Sequence, residues 1–169
     1  MQPATAQTQR RSNAMAGLLG RILLTGGAAA IVSAVTAASW SRMERGRATA
    51  PLNAVSHIAW GGEPPSHVGP AGINLATGVA LHAGASLFWA TPFEVAFGPL
   101  ARRSAAGSWL GGAIVSAVAF ITDYYVVSRR FRPGYEAYLS PRGLFAVYAA
   151  LAAGLAIGAR LSRLDDHQP

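Results

Sequence analysis

Four long apolar runs, separated by short polar stretches, organise this chain. Residues 22–40 hold no charge over 19 positions, close to the ~20 that carry an α-helix across a ~30 Å hydrocarbon core. A second run lies between Glu63 and Glu94, at about residues 72–91, with His82 near its middle. Residues 104–128 form a third, whose one charge is Asp123. Residues 143–159 form a fourth, bracketed by Arg142 and Arg160, whose long stems can snorkel to headgroups. The apolar positions do not recur with an amphipathic period, which separates a membrane chain from a soluble helical one. The pattern predicts an all-α, integral membrane four-helix transmembrane bundle over residues 16–163, with both termini on one side. Residues 1–15 read as a disordered head and 164–169 as a polar tail.

Two local patterns refine this reading. Thr91-Pro92-Phe93-Glu94 has the form of an N-cap, a first-turn proline and a capping-box glutamate, predicting a kink or a new short helix there. In "PLNAVSHIAWGGEPPSHVGP", residues 51–70, Thr49 is placed to cap a short helix with Pro51 in its first turn. That helix would run through Trp60 to a stop at Gly61-Gly62, with Leu52, Val55 and Ile58 facing oil. Such an interfacial or re-entrant helix would act as a cap, bringing Asn53, Ser56 and His57 to the bundle mouth above His82. Loop 129–142 must share that side, and it adds Arg132, Tyr135 and Glu136. An alternative for the first run is a cleaved signal peptide, with the small residues "AVTAAS" as its site. Arg21 interrupts that pattern, and the run is longer than a typical signal core.

Ionisable groups at membrane depth narrow the candidate chemistry, because each costs about 2.5–3.5 kcal/mol at mid-bilayer and so tends to face the bundle interior. Gly112, Ser116, Ala119 and Asp123 form one stripe of the third run, and Gly78, His82, Ser86 and Trp89 a matching stripe of the second. On antiparallel helices the depths of His82 and Asp123 differ by roughly 6 Å. A His82–Asp123 contact is expected, with Ser86 or Ser116 completing its hydrogen bonds. It would serve either to fix helix register or to relay protons or hold a ligand. Helix association in lipid relies on small residues, and Ala150, Gly154 and Gly158 supply a ridge at four-residue spacing that suits packing within the bundle.

Composition agrees with residence in a membrane: 51% of residues are hydrophobic and 12% charged, about half the usual charged fraction of roughly 25%. All 14 basic residues are arginine, which with abundant Ala and Gly suggests a GC-rich bacterial genome. The net charge of +7 sits at the ends of oily segments, so it does not indicate nucleic-acid binding. Seven arginines fall on each side of the bilayer, so the positive-inside rule is tied, and cytoplasmic termini are favoured only because both ends are short. The absence of cysteine excludes disulfides, thiolate catalysis and Cys-ligated metals. The histidines lack the spacing of a metal site, no phosphate loop or nucleophile elbow is present, and neither enzyme activity nor a cofactor is expected.

"RGRATAPLNAVSHIAWG", "ALHAGASLFWA" and "TDYYVVSRRFRPGYEAYLS" resemble segments of small four-span bacterial inner-membrane proteins of unknown function, over about residues 40–140. The resemblance implies topology and no reaction. The expected role is structural, accessory or stress-related, with the lipid bilayer, another membrane protein or a second copy of the chain as partners. One alternative is conduction of protons or a small solute using His82 and Asp123, which a cavity reaching His82 would favour. A second is a haem-binding electron-transfer subunit, although a bis-His site would need a second intramembrane histidine.

Overall fold

A computed structural model describes residues 4–62 and 71–165, with side chains for 7–62 and 72–162. The segment 63–70, including His67, and the end of the expected tail, including His167, lie outside the described residues. Helix α1 spans Ala4–Arg45, α2 Ala50–Val55, α3 His57–Trp60, α4 Ala71–Ala96, α5 Gly98–Arg103, α6 Ala105–Ile121 and α7 Pro141–Asp165. A π-helical turn, Thr122–Val126, continues α6, and two 3₁₀ turns, Arg129–Phe131 and Tyr135–Ala137, shape the loop before α7. Four helices, α1, α4, α6 with its π turn, and α7, are long and apolar enough to cross a membrane. The chain is therefore an all-α four-helix bundle of multi-pass membrane type.

Large apolar side chains face outward and small ones inward, the arrangement expected where lipid and not water surrounds a bundle. On α1, Leu19, Leu23, Ile31 and Val35 are exposed, while Thr25, Ala29, Ser33, Ala37 and Ser41 form a fully buried stripe at four-residue spacing. Gly154 and Gly158 of α7 fit against that stripe. A Cβ on Gly154 would collide with the Ala29 backbone, and one on Gly158 would lie 2.5 Å from the Thr25 Cα. Gly112 of α6 meets the Ala152 carbonyl in the same way. The small-residue ridge thus packs within the chain.

Three local expectations are corrected. Residues 4–15 are helical and not a disordered head: no proline or glycine interrupts them, so α1 propagates outward beyond the bilayer, aided by a Gln9–Asn13 side-chain bond of 3.0 Å. Helix α4 runs through Pro92 to Ala96, past the break expected at Thr91. The Thr91 hydroxyl caps nothing and folds back onto the Leu87 carbonyl at 3.1 Å. The turn comes at Phe97, and α5 follows with proline in its first turn.

The cap is the third correction. Thr49 makes no side-chain cap bond, α2 ends at Val55, and after Ser56 the separate turn α3 stops at Gly61, whose φ of 80° suits glycine. Leu52 and Val55 do not face oil but are buried against the bundle. Helix α2 can sit that deep because Gly78 of α4 has no side chain: a Cβ there would overlap the Leu52 carbonyl.

Candidate functional site: a capped cavity between two tyrosine-held ionisable residues

Helix α4 carries His82 past α1, and the loop before α7 brings Tyr135 down to meet it. Gly134 turns the chain with a left-handed φ of 80°, and Tyr135 follows in the 3₁₀ turn, buried among Ala37, Val55, Leu139 and Val147. Its hydroxyl lies 2.7 Å from His82 Nδ1. His82 Nε2 lies 3.1 Å from both the Ala30 carbonyl and Ser33 Oγ, and the Ser33 hydroxyl donates to the Ala29 carbonyl at 2.6 Å. The carbonyl of Ala30 can only accept, so Nε2 carries a proton. A neutral ring with that one proton satisfies every partner: Tyr135 donates to Nδ1, and Nε2–H donates to α1. Burial first, and the nearby Asp123 charge second, push the Tyr135 phenol above its usual range, so it remains a donor.

Asp123 belongs to another wall of the same space, in the π turn that ends the third span. Its Oδ2 accepts the Tyr148 hydroxyl at 2.6 Å. Tyr148 is held edge-on against Phe120, with ring centroids 5.2 Å apart, and its carbonyl accepts the Ser116 hydroxyl at 2.5 Å. Ser86 donates to the His82 carbonyl at 2.9 Å. Among the described residues no hydrogen bond joins His82 to Asp123: each is bonded to a tyrosine, and Ser86 and Ser116 serve backbone carbonyls instead of completing the expected contact. Loop 129–137 supplies Tyr135, whose hydroxyl takes one ring nitrogen of His82, while α1 takes the other.

Between these walls lies a cavity of about 250 Å³, lined by His82, Asp123, Ser33, Ser86, Tyr135 and Tyr148 with Trp89, Phe131, Pro133 and aliphatic side chains. The cap contributes Val55 and Ile58. Other expected cap residues do not line it. Ser56 and His57 are buried in the cap's own packing, with Ser56 Oγ donating to the Asn53 carbonyl at 2.7 Å and His57 Nδ1–H to the Ala54 carbonyl at 2.7 Å. Asn53 has its Oδ1 buried and unpaired, and Arg132 has a buried, unpaired Nε. Trp60 is exposed, and Glu136, also exposed, accepts the Tyr124 hydroxyl at 3.3 Å. Among the described residues no three of His, Asp and Glu converge as a metal site would require. Both His82 nitrogens are engaged, so a haem iron there would have to break the tie to Tyr135 or the tie to α1.

A second polar cluster went unforeseen. Glu94, with its side chain fully buried, accepts Thr25 Oγ1 at 2.7 Å and Arg102 at 3.0 Å, and Arg21 lies 3.8 Å away. The clue was Arg21 itself: an arginine interrupting an apolar run needs a partner, and Glu94, read as a capping residue, was the acidic group at matching depth. Tyr148 and Ser33 were missed because a tyrosine near a span end reads as interfacial and a serine in a helix as neutral. Comparison with protein-family models, with curated proteins and with solved structures finds no match.

Proposed function

We propose that this chain is a small multi-pass protein of the bacterial inner membrane that takes a small solute into the capped cavity and conducts it, without catalysing a reaction. The cavity carries this reading. About 250 Å³ lies open beside a carboxylate that is expensive to keep at membrane depth. Asp123 is the group that meets the solute. His82, with both nitrogens engaged, is the post to which the loop before α7 is fastened, which favours a solute over a proton relay through that ring. Arginine used to the exclusion of lysine supports a bacterial source.

The chain has no cysteine, so a single introduced thiol reports on this cavity without background. In proteoliposomes, Ala85→Cys, on the cavity wall, is expected to react with a small membrane-impermeant thiol reagent. Thr49→Cys at an exposed position should react as the positive control. An Ala85→Cys protein that stays unlabelled from both faces while Thr49→Cys reacts would overturn the reading. A structural or accessory role is the second reading, supported by the interlocked α1–α7 seam, and a stoichiometric partner retained in mild detergent would favour it.

A further inference from the structure

We infer that the solute is a small organic cation, with Asp123 as its counter-charge; this rests on the small-solute reading above. What the cavity offers a guest sets the charge of that guest. Six polar side chains line it: Ser33, His82, Ser86, Asp123, Tyr135 and Tyr148. The hydroxyls of Ser33 and Ser86 already donate to carbonyls of their own helices. The Tyr135 and Tyr148 hydroxyls donate to His82 and Asp123, and His82 Nε2–H donates to Ala30. Apart from the Trp89 indole N–H, these donors are spent on the protein itself. An anion entering here would find little to bind.

Acceptors are the opposite case. Among the described residues Tyr148 is the one hydrogen-bond partner of the Asp123 carboxylate, and no arginine pairs with it, since both ion pairs involve Glu94. Arg129, Arg130 and Arg132 belong to the loop above but do not line the cavity. The rest of the wall is aliphatic and aromatic; Trp89, Phe131, Tyr135 and Tyr148 supply its rings, and ring faces attract cations, alkylammonium groups above all. A carboxylate without a cation, in a cavity with four rings in its lining, is a complete site once an ammonium enters it. Size agrees: a cavity of ~150 Å³ admits benzene, so this one accommodates an ammonium bearing an aromatic or short alkyl group.

The test is calorimetric titration of the full chain in lipid nanodiscs with three soluble probes: phenyltrimethylammonium, benzyl alcohol and benzoate. The cation is expected to bind at least tenfold more tightly than either of the others. Asp123→Asn should weaken the cation tenfold or more and leave benzyl alcohol unchanged. Trp89→Leu, which keeps the carboxylate and removes a ring, should weaken the cation at least fivefold and serves if Asp123→Asn does not fold. Benzyl alcohol binding as tightly as the cation, without dependence on Asp123, would overturn the cation inference and leave the solute reading standing. Preference for benzoate would also overturn it. No binding of any probe, with an unlabelled Ala85→Cys, would remove both.

Discussion

The Tyr135 hydroxyl, 2.7 Å from His82 Nδ1, ties the loop before α7 to the middle of α4. Through the other ring nitrogen the same histidine is tied to α1, so one side chain joins three parts of the bundle around the cavity.

Removing that tie should be visible in stability and in access together. Tyr135→Phe keeps the ring and its packing but leaves Nδ1 without its donor in a buried setting, at a cost of about 1–3 kcal/mol. We expect a lower thermal midpoint in detergent and faster labelling of Ala85→Cys in the Tyr135→Phe background. An unchanged midpoint and labelling rate would mean that the loop is held by its apolar contacts alone.

Much of the architecture was readable in advance because hydrocarbon imposes strict demands: span lengths, the inward stripes carrying His82 and Asp123, and the presence of a cap all follow from the cost of exposing polar groups to lipid. Which polar group meets which was not readable. The helix stripes predicted a His82–Asp123 contact; the two residues line one cavity, but their partners are tyrosines delivered by tertiary structure, and no period in the sequence places Tyr135 beside His82. Helix α4 ran through Pro92 for a similar reason: local capping chemistry at Thr91 and Glu94 was outweighed by Thr25 and Arg102 competing for the same carboxylate. The cap packed inward because Gly78 leaves room for it, which is visible only once α2 and α4 are seen together.

The α1–α7 seam gives a paired prediction. Gly154→Ala inserts a methyl against the Ala29 backbone, where nothing can rotate away, and overpacking of this kind destabilises by about 1–3 kcal/mol. Gly84→Ala, where a Cβ meets nothing within 4 Å, should be neutral or stabilising by roughly 0.5–1 kcal/mol from helix propensity. Equal thermal midpoints for the two variants would contradict the close approach of α1 and α7.

Membrane orientation is accessible to reporter fusions. With cytoplasmic termini, a C-terminal GFP fusion fluoresces and a C-terminal alkaline phosphatase fusion stays inactive. The reverse pair of results would invert the topology, moving the cap and cavity mouth to the cytoplasmic face.

Glu94 should prove the most sensitive charged position in the chain. Its carboxylate is completely buried and neutralises Arg102 at 3.0 Å with Arg21 close by, both of them about a quarter exposed. Glu94→Gln keeps the shape and the Thr25 contact but strands two guanidinium groups beside an apolar interior. The arginines can relieve part of this by extending toward headgroups, which sets the expected loss at about 2–3 kcal/mol, below that of a fully enclosed pair. Thr25→Val removes one hydrogen bond to the same carboxylate and should cost less, about 1.5 kcal/mol. The ordering is the test: thermal midpoints should fall from wild type through Thr25→Val to Glu94→Gln. Because the cluster packs α1, α4 and α5 away from Asp123, neither variant should change the relative affinities for phenyltrimethylammonium and benzyl alcohol. A Glu94→Gln protein as stable as wild type would show that the arginines reach solvent unaided, and a changed preference would show that this cluster and the cavity act as one site.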